Sequence, residues 1–145
     1  RPSQLENPAF RAAWQAGMDR DGSSTGFLYM DELEAKLENG RAALRLGAGH
    51  DQTLVRMLRA RVGKGRTLFL QGSGAAVLFR PGKQAEVGEE DGLPILTLTE
   101  EALMELCGVL RPRAGTYGLS SFPMTVELTP TTITDREGNV IKVIG

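Results

Sequence analysis

Residues 31–39, Asp-Glu-Leu-Glu-Ala-Lys-Leu-Glu-Asn, carry the reading of the N-terminal half. Leu33 and Leu37 fall at i and i+4, and Asp31 and Glu34 are spaced as a capping box, so the pattern predicts a helix over 31–39 that Gly40 stops. Upstream, Asn7 is placed as an N-cap with Pro8 at the first helical position, and Phe10, Trp14 and Met18 form one apolar stripe. Residues 19–26, DRDGSSTG, are turn chemistry. Residues 41–46 are ambiguous, and Gly47 to Gly49 break whatever they form.

Further along, Leu54, Val55, Leu58 and Val62 lie within an arc of about 100° if 51–62 is helical, with Arg56 and Arg59 on the opposite side and Arg61 on the flank. Gly63-Lys64-Gly65 ends that helix. Residues 66–71 and 75–79 then alternate around Gly72-Ser73-Gly74 as a hairpin. Residues 84–92 read as an acidic, glycine-punctuated loop. A strand over 95–98 delivers Thr99 to cap a helix from Glu100 to about Leu110, which Pro112 terminates. A strand over 125–129 and a hairpin joining 131–134 to 140–144 complete the chain. The expected architecture is α+β: N-terminal helices followed by a mainly antiparallel sheet with one further helix, in one domain over 1–145. Trp14, Leu33, Leu37, Leu54, Leu58 and Leu103 are expected in its core.

A length of 145 residues with 41% apolar and 24% charged content matches one ordinary globular domain. The longest apolar runs span only a few residues, and no basic leader followed by an apolar stretch opens the chain, so a membrane location is not expected. Arg1 is not Met, which suggests a piece of something longer. A single cysteine, Cys107, excludes an intrachain disulfide and any multi-cysteine zinc site, and points to a core position in a reducing, cytoplasmic setting.

Charge is the property that speaks about partners. Residues 41–83 hold nine bases (Arg41, Arg45, Arg56, Arg59, Arg61, Lys64, Arg66, Arg80, Lys83) and one acid, Asp51, whereas 84–108 hold seven acids and no base, inside a net charge of −1. A binding face made of Arg56, Arg59, Arg61, Lys64, Arg66, Arg80 and Lys83 is expected to contact nucleic acid or another acidic macromolecule, since clustered cations supply most salt-dependent affinity for phosphates. The pI of about 5.9 is low for a dedicated DNA binder. The alternative is an assembly domain whose charge blocks pair between subunits, as in a homo-oligomer. A winged helix built from 31–39, 51–62 and a wing over 66–80 is a strained reading, because eleven residues separate the helices where a helix-turn-helix allows three or four.

The 14 residues from Asp19 to Glu32 lie between two expected helices. They resemble an EF-hand calcium loop lengthened by two positions, with Asp19, Asp21, Ser23 and Glu32 as the oxygen ligands. The glycine falls at the eighth position rather than the sixth, so a polar turn capping at Asp31 is the simpler account, and no metal or cofactor is expected. His50 is the only histidine and the only imidazole available for acid–base chemistry. By fold-level analogy, a metal-independent ribonuclease of the kind that ends many bacterial toxins could combine it with Glu127, Arg66 and Arg80. The glycine clusters at 71–74 and 115–121 match no nucleotide-binding pattern. No catalytic motif is complete, so a binding role is expected ahead of an enzymatic one.

Overall fold

A computed structural model describes residues 26–145; the helix expected from Asn7 and the core position expected for Trp14 lie outside the described residues. Three sheets and two helices make up the described chain. β1 (Gly26–Tyr29), β4 (Leu68–Gln71), β5 (Ala76–Pro81), β7 (Leu93–Leu98) and β6 (Glu86–Glu90) form one sheet in the order β1-β4-β5-β7-β6. A second sheet runs β2 (Glu34–Glu38), β3 (Arg41–Gly47), β9 (Met124–Thr129), β8 (Gly115–Gly118). β10 (Thr131–Thr134) and β11 (Val140–Ile144) pair only with each other. The helices are α1 (Asp51–Arg61) and α2 (Glu100–Val109).

The expectation of N-terminal helices is overturned at 31–39. This segment is strand β2, turned by Asn39-Gly40 into β3 with Glu34 opposite Arg45 and Glu38 opposite Arg41. Leu33 and Leu37 share a face at i and i+4 in a strand as well as in a helix, so those two positions could not decide the matter. Ala35 decides it. Leu33, Ala35 and Leu37 alternate with Glu34, Lys36 and Glu38, and Ala42, Leu44 and Leu46 alternate with Arg41, Ala43 and Arg45 across the turn. Asn39 and Gly40 have φ of 52° and 75°, the pair of left-handed conformations that a two-residue hairpin turn of type I′ needs. The acidic loop expected over 84–92 is likewise a hairpin, β6 to β7, turned by Asp91 and Gly92 at φ of 50° and 80°. Residues 115–118, at the start of the second glycine cluster, are the edge strand β8.

The sheets are mixed rather than mainly antiparallel. Hairpins supply five antiparallel pairs, β2–β3, β4–β5, β6–β7, β8–β9 and β10–β11. Three parallel pairs, β1–β4, β3–β9 and β5–β7, join segments distant in the sequence. β7 is inserted between β5 and β6, so the chain passes over its place before filling it.

α1 contacts α2, β1 and β4, while α2 contacts β7, and β2 of the second sheet contacts β5 and β7. One core therefore forms where both helices and both sheets meet. Leu54, Val55, Leu58 and Val62 come from α1 and its end; Ala102, Leu106 and Leu110 from α2; Leu44, Leu46, Val126 and Leu128 from one sheet; and Leu70, Phe79 and Leu96 from the other. The opposite face of the five-stranded sheet holds a smaller cluster of Phe69, Leu78, Leu93 and Ile95, with Phe27 edge-on to Phe69 at 5.5 Å. Burial on both faces explains the unbroken apolar runs in β4, β5 and β7. Leu33, Leu54 and Leu58 are buried as expected, whereas Leu37 and Leu103 are half-buried against the core. Thr99 caps α2, its Oγ1 accepting from the Ala102 N–H at 3.1 Å. No helix among the described residues is long and apolar enough to cross a membrane.

Candidate binding cleft

α1 ends in basic residues, Arg59 and Arg61, beside the carbonyl end of the helix dipole where cations are favoured. The 3₁₀ turn Val62–Lys64 continues it, and Gly65 at φ 80° turns the chain toward β4. Facing this end, β5 and β7 terminate at Pro81 and Leu98, which lie opposite each other in register. Gly82 follows, its N–H donating to the Leu98 carbonyl at 3.1 Å. A Cβ there would lie 2.4 Å from Thr97 Cγ2, so only glycine permits this close approach.

Between these ends opens a cleft of about 800 Å³. Its rim carries Arg59, Lys64 and Lys83 against one acid, Glu100; Val62, Leu98, Leu103, Met104 and Cys107 supply apolar surface. Met104 is 68% exposed although it stands on a helix whose neighbouring residues reach the core. Burial raises the Cys107 thiol above its ordinary range, opposed by nearby Arg59, which favours the neutral thiol.

The nine-base block divides by environment. Arg41, Arg56, Arg59, Lys64, Arg66 and Lys83 are exposed and form no ion pair among the described residues. Arg45 is neutralised on the outer face of its sheet by Glu34 at 3.0 Å and Glu127 at 3.2 Å, two acids that hold its guanidinium above its usual range. Arg80 donates from Nε to Thr97 Oγ1 at 2.8 Å. Arg61 is half-buried and packs over Gly26, where a Cβ would lie 2.6 Å from its Nε. Of the seven expected binding residues, the cleft therefore collects Arg59, Lys64 and Lys83; Arg56 and Arg66 stay outside its lining, and Arg61 and Arg80 hold the fold.

The other candidates are dispersed. His50 ends a 3₁₀ turn before α1 and is half-buried beside Gly47, where a Cβ would lie 3.3 Å from its Cδ2 and 3.0 Å from Glu32 Oε2. Glu127 is engaged by Arg45 and Arg80 by Thr97, so the four residues of the ribonuclease analogy occupy separate settings. Asp19, Asp21 and Ser23 lie outside the described residues. Glu32 is exposed and leads into a strand, so the exiting helix that an EF-hand requires is absent, as is the first helix of the winged-helix reading. Among the described residues no group of three or more His, Cys, Asp or Glu could hold a metal ion.

The apolar part of the cleft escaped the sequence analysis. Met104 was its one legible signal, an apolar residue standing off the buried stripe of α2.

No protein family matches the sequence, and no curated protein matches it. Among solved structures, the chain is similar to Drosophila Suppressor of Fused, with a TM-score of 0.51 and 11% identity over 88% of this chain. The chain spans 37% of that protein's length. At this identity the likeness concerns the fold alone.

Proposed function

We propose that the chain is a non-catalytic binding domain whose cleft between α1 and α2 takes an acidic, apolar-bearing segment of a protein partner. The observation that carries this reading is the pairing of three cations, Arg59, Lys64 and Lys83, that form no ion pair among the described residues, with an exposed apolar wall that includes Met104. Cations at a rim select acidic partners and speed encounter, while a desolvated apolar anchor supplies residence time. Nucleic acid fits less well. The lining contains no aromatic side chain on which a base could stack, and the net charge of the chain is −1. The separate settings of His50, Glu127, Arg66 and Arg80 support a binding role over a catalytic one. A reducing, cytoplasmic location accords with the lone buried thiol of Cys107.

Fluorescence polarisation with a labelled Glu-rich peptide bearing one leucine tests the proposal. Binding is expected at low salt, weakened about tenfold or more by Lys64→Glu/Lys83→Glu and also reduced by Met104→Asp. A single-stranded oligonucleotide that binds while the peptide does not would overturn it.

A further inference from the structure

Among the described residues the cleft's cations form no ion pair and share their rim with one acid, Glu100, yet the chain carries a further set of acids elsewhere. Glu89, Glu90 and Asp91 cluster at the β6–β7 turn, all exposed and none ion-paired among the described residues. β7 separates the two features. Leu93, paired with Glu90, begins the strand beside the turn, and Leu98 at its far end lines the cleft. Five steps of about 3.3 Å from Leu93 to Leu98 put roughly 17 Å between those ends, so the turn of one molecule cannot reach its own cleft. We propose, resting on the basic rim of the cleft reading above and not on its apolar wall, since Leu93 beside the turn is buried in its own fold, that the occupant is the β6–β7 turn of a second copy of this chain, giving head-to-tail assembly.

Three observations support this occupant. The turn is stiff, because Asp91 and Gly92 lock a two-residue hairpin and leave little conformational freedom to be lost on docking. Its three carboxylates match the three rim cations Arg59, Lys64 and Lys83 in number and sign. No ion pair joins the bases of 41–83 to the acids of 84–108 among the described residues, which leaves Glu89, Glu90 and Asp91 open to a second copy. A contact between two different surfaces does not close on itself by twofold symmetry, so it generates open chains whose length follows concentration and salt.

Sedimentation and light scattering across a concentration series test the inference on the full 145-residue chain. At low salt the average mass is expected to climb from that of the 15.7 kDa monomer as concentration rises, and to return to it in about 0.5 M salt. Lys64→Glu/Lys83→Glu removes the cleft and Glu89→Lys/Glu90→Lys removes the turn; each variant alone is expected to be monomeric. Mixed, they are expected to form a one-to-one dimer that grows no further, because the first still offers a turn and the second a cleft. A wild-type chain that stays monomeric at low salt, or a mass increase that survives Glu89→Lys/Glu90→Lys, overturns the inference. If the labelled peptide still binds the cleft of that chain, only the second-copy occupant fails; if it does not, the cleft reading fails with it.

Discussion

Residues 33–46 and α1 sit side by side in the sequence, each a mixture of leucine, alanine and charge, and they fold oppositely. In α1, Leu54, Val55, Leu58 and Val62 occupy positions that share a face only at 3.6 residues per turn, because Leu54 and Val55 are adjacent and a strand would send them to opposite faces. In β2 the two leucines at i and i+4 suit either period, and the choice passes to Ala35 and the Asn39-Gly40 turn. In a segment buried on one face only, adjacent apolar residues thus favour helix over strand, whereas residues four apart do not; β4, β5 and β7, buried on both faces, carry adjacent apolar residues as strands.

The largest effect expected from this contrast is in α1. Leu58 is fully buried, so Leu58→Ala should lose about 2–5 kcal/mol of stability in chemical denaturation, while Leu37→Ala on half-buried β2 should lose clearly less. Equal losses would mean that β2 contributes to the core as fully as the helix does.

The turn itself comes next. At Gly40 an added Cβ would meet nothing within 4 Å, so any loss in Gly40→Ala comes from the backbone alone, held at φ 75°. The expected destabilisation is about 1–2 kcal/mol. An unchanged midpoint would show that the turn relaxes without penalty and that alternation by itself maintains the hairpin.

Unlike α1, α2 is tied to the rest of the molecule by a polar clamp. Glu105 accepts hydrogen bonds from the backbone N–H and the hydroxyl of both Ser120 and Ser121. Those bonds, the Ser121 hydroxyl foremost, draw its carboxyl down to about 2 from an ordinary 4.5. A depressed carboxyl adds stability that is complete above the unfolded value and is lost as pH falls from about 4.5 through about 2. Acid titration of the melting temperature should therefore fall more steeply in the wild type than in Glu105→Gln across that window. Parallel curves would remove the clamp from the account.

The smallest effect is expected on the solvent face of α1. Arg56 is exposed and unpaired among the described residues, so Arg56→Ala should change stability by less than about 0.5 kcal/mol. Because Arg56 lies outside the cleft lining, peptide affinity should also hardly move, in contrast to Lys64→Glu/Lys83→Glu.

α1, the cap and extent of α2, the β4–β5 and β10–β11 hairpins and the inward face of β9 are legible in the residues themselves, because each depends on contacts within about a dozen residues and on local turn or cap chemistry. The same local signals were present at Asn39-Gly40 and Asp91-Gly92, two of the strongest hairpin dipeptides, and there a helical spacing and a loop composition concealed them. Tertiary structure alone decided the parallel pairs β1–β4, β3–β9 and β5–β7, since their partners are far apart in the chain and nothing in either strand names the other. It also decided the site. The basic block was legible as composition, but only packing could pair Arg45 with Glu34 and Glu127, bury much of Arg61 over Gly26 and leave Arg59, Lys64 and Lys83 around an apolar cleft, because the environment of a charge depends on which distant side chains and backbone come to lie beside it.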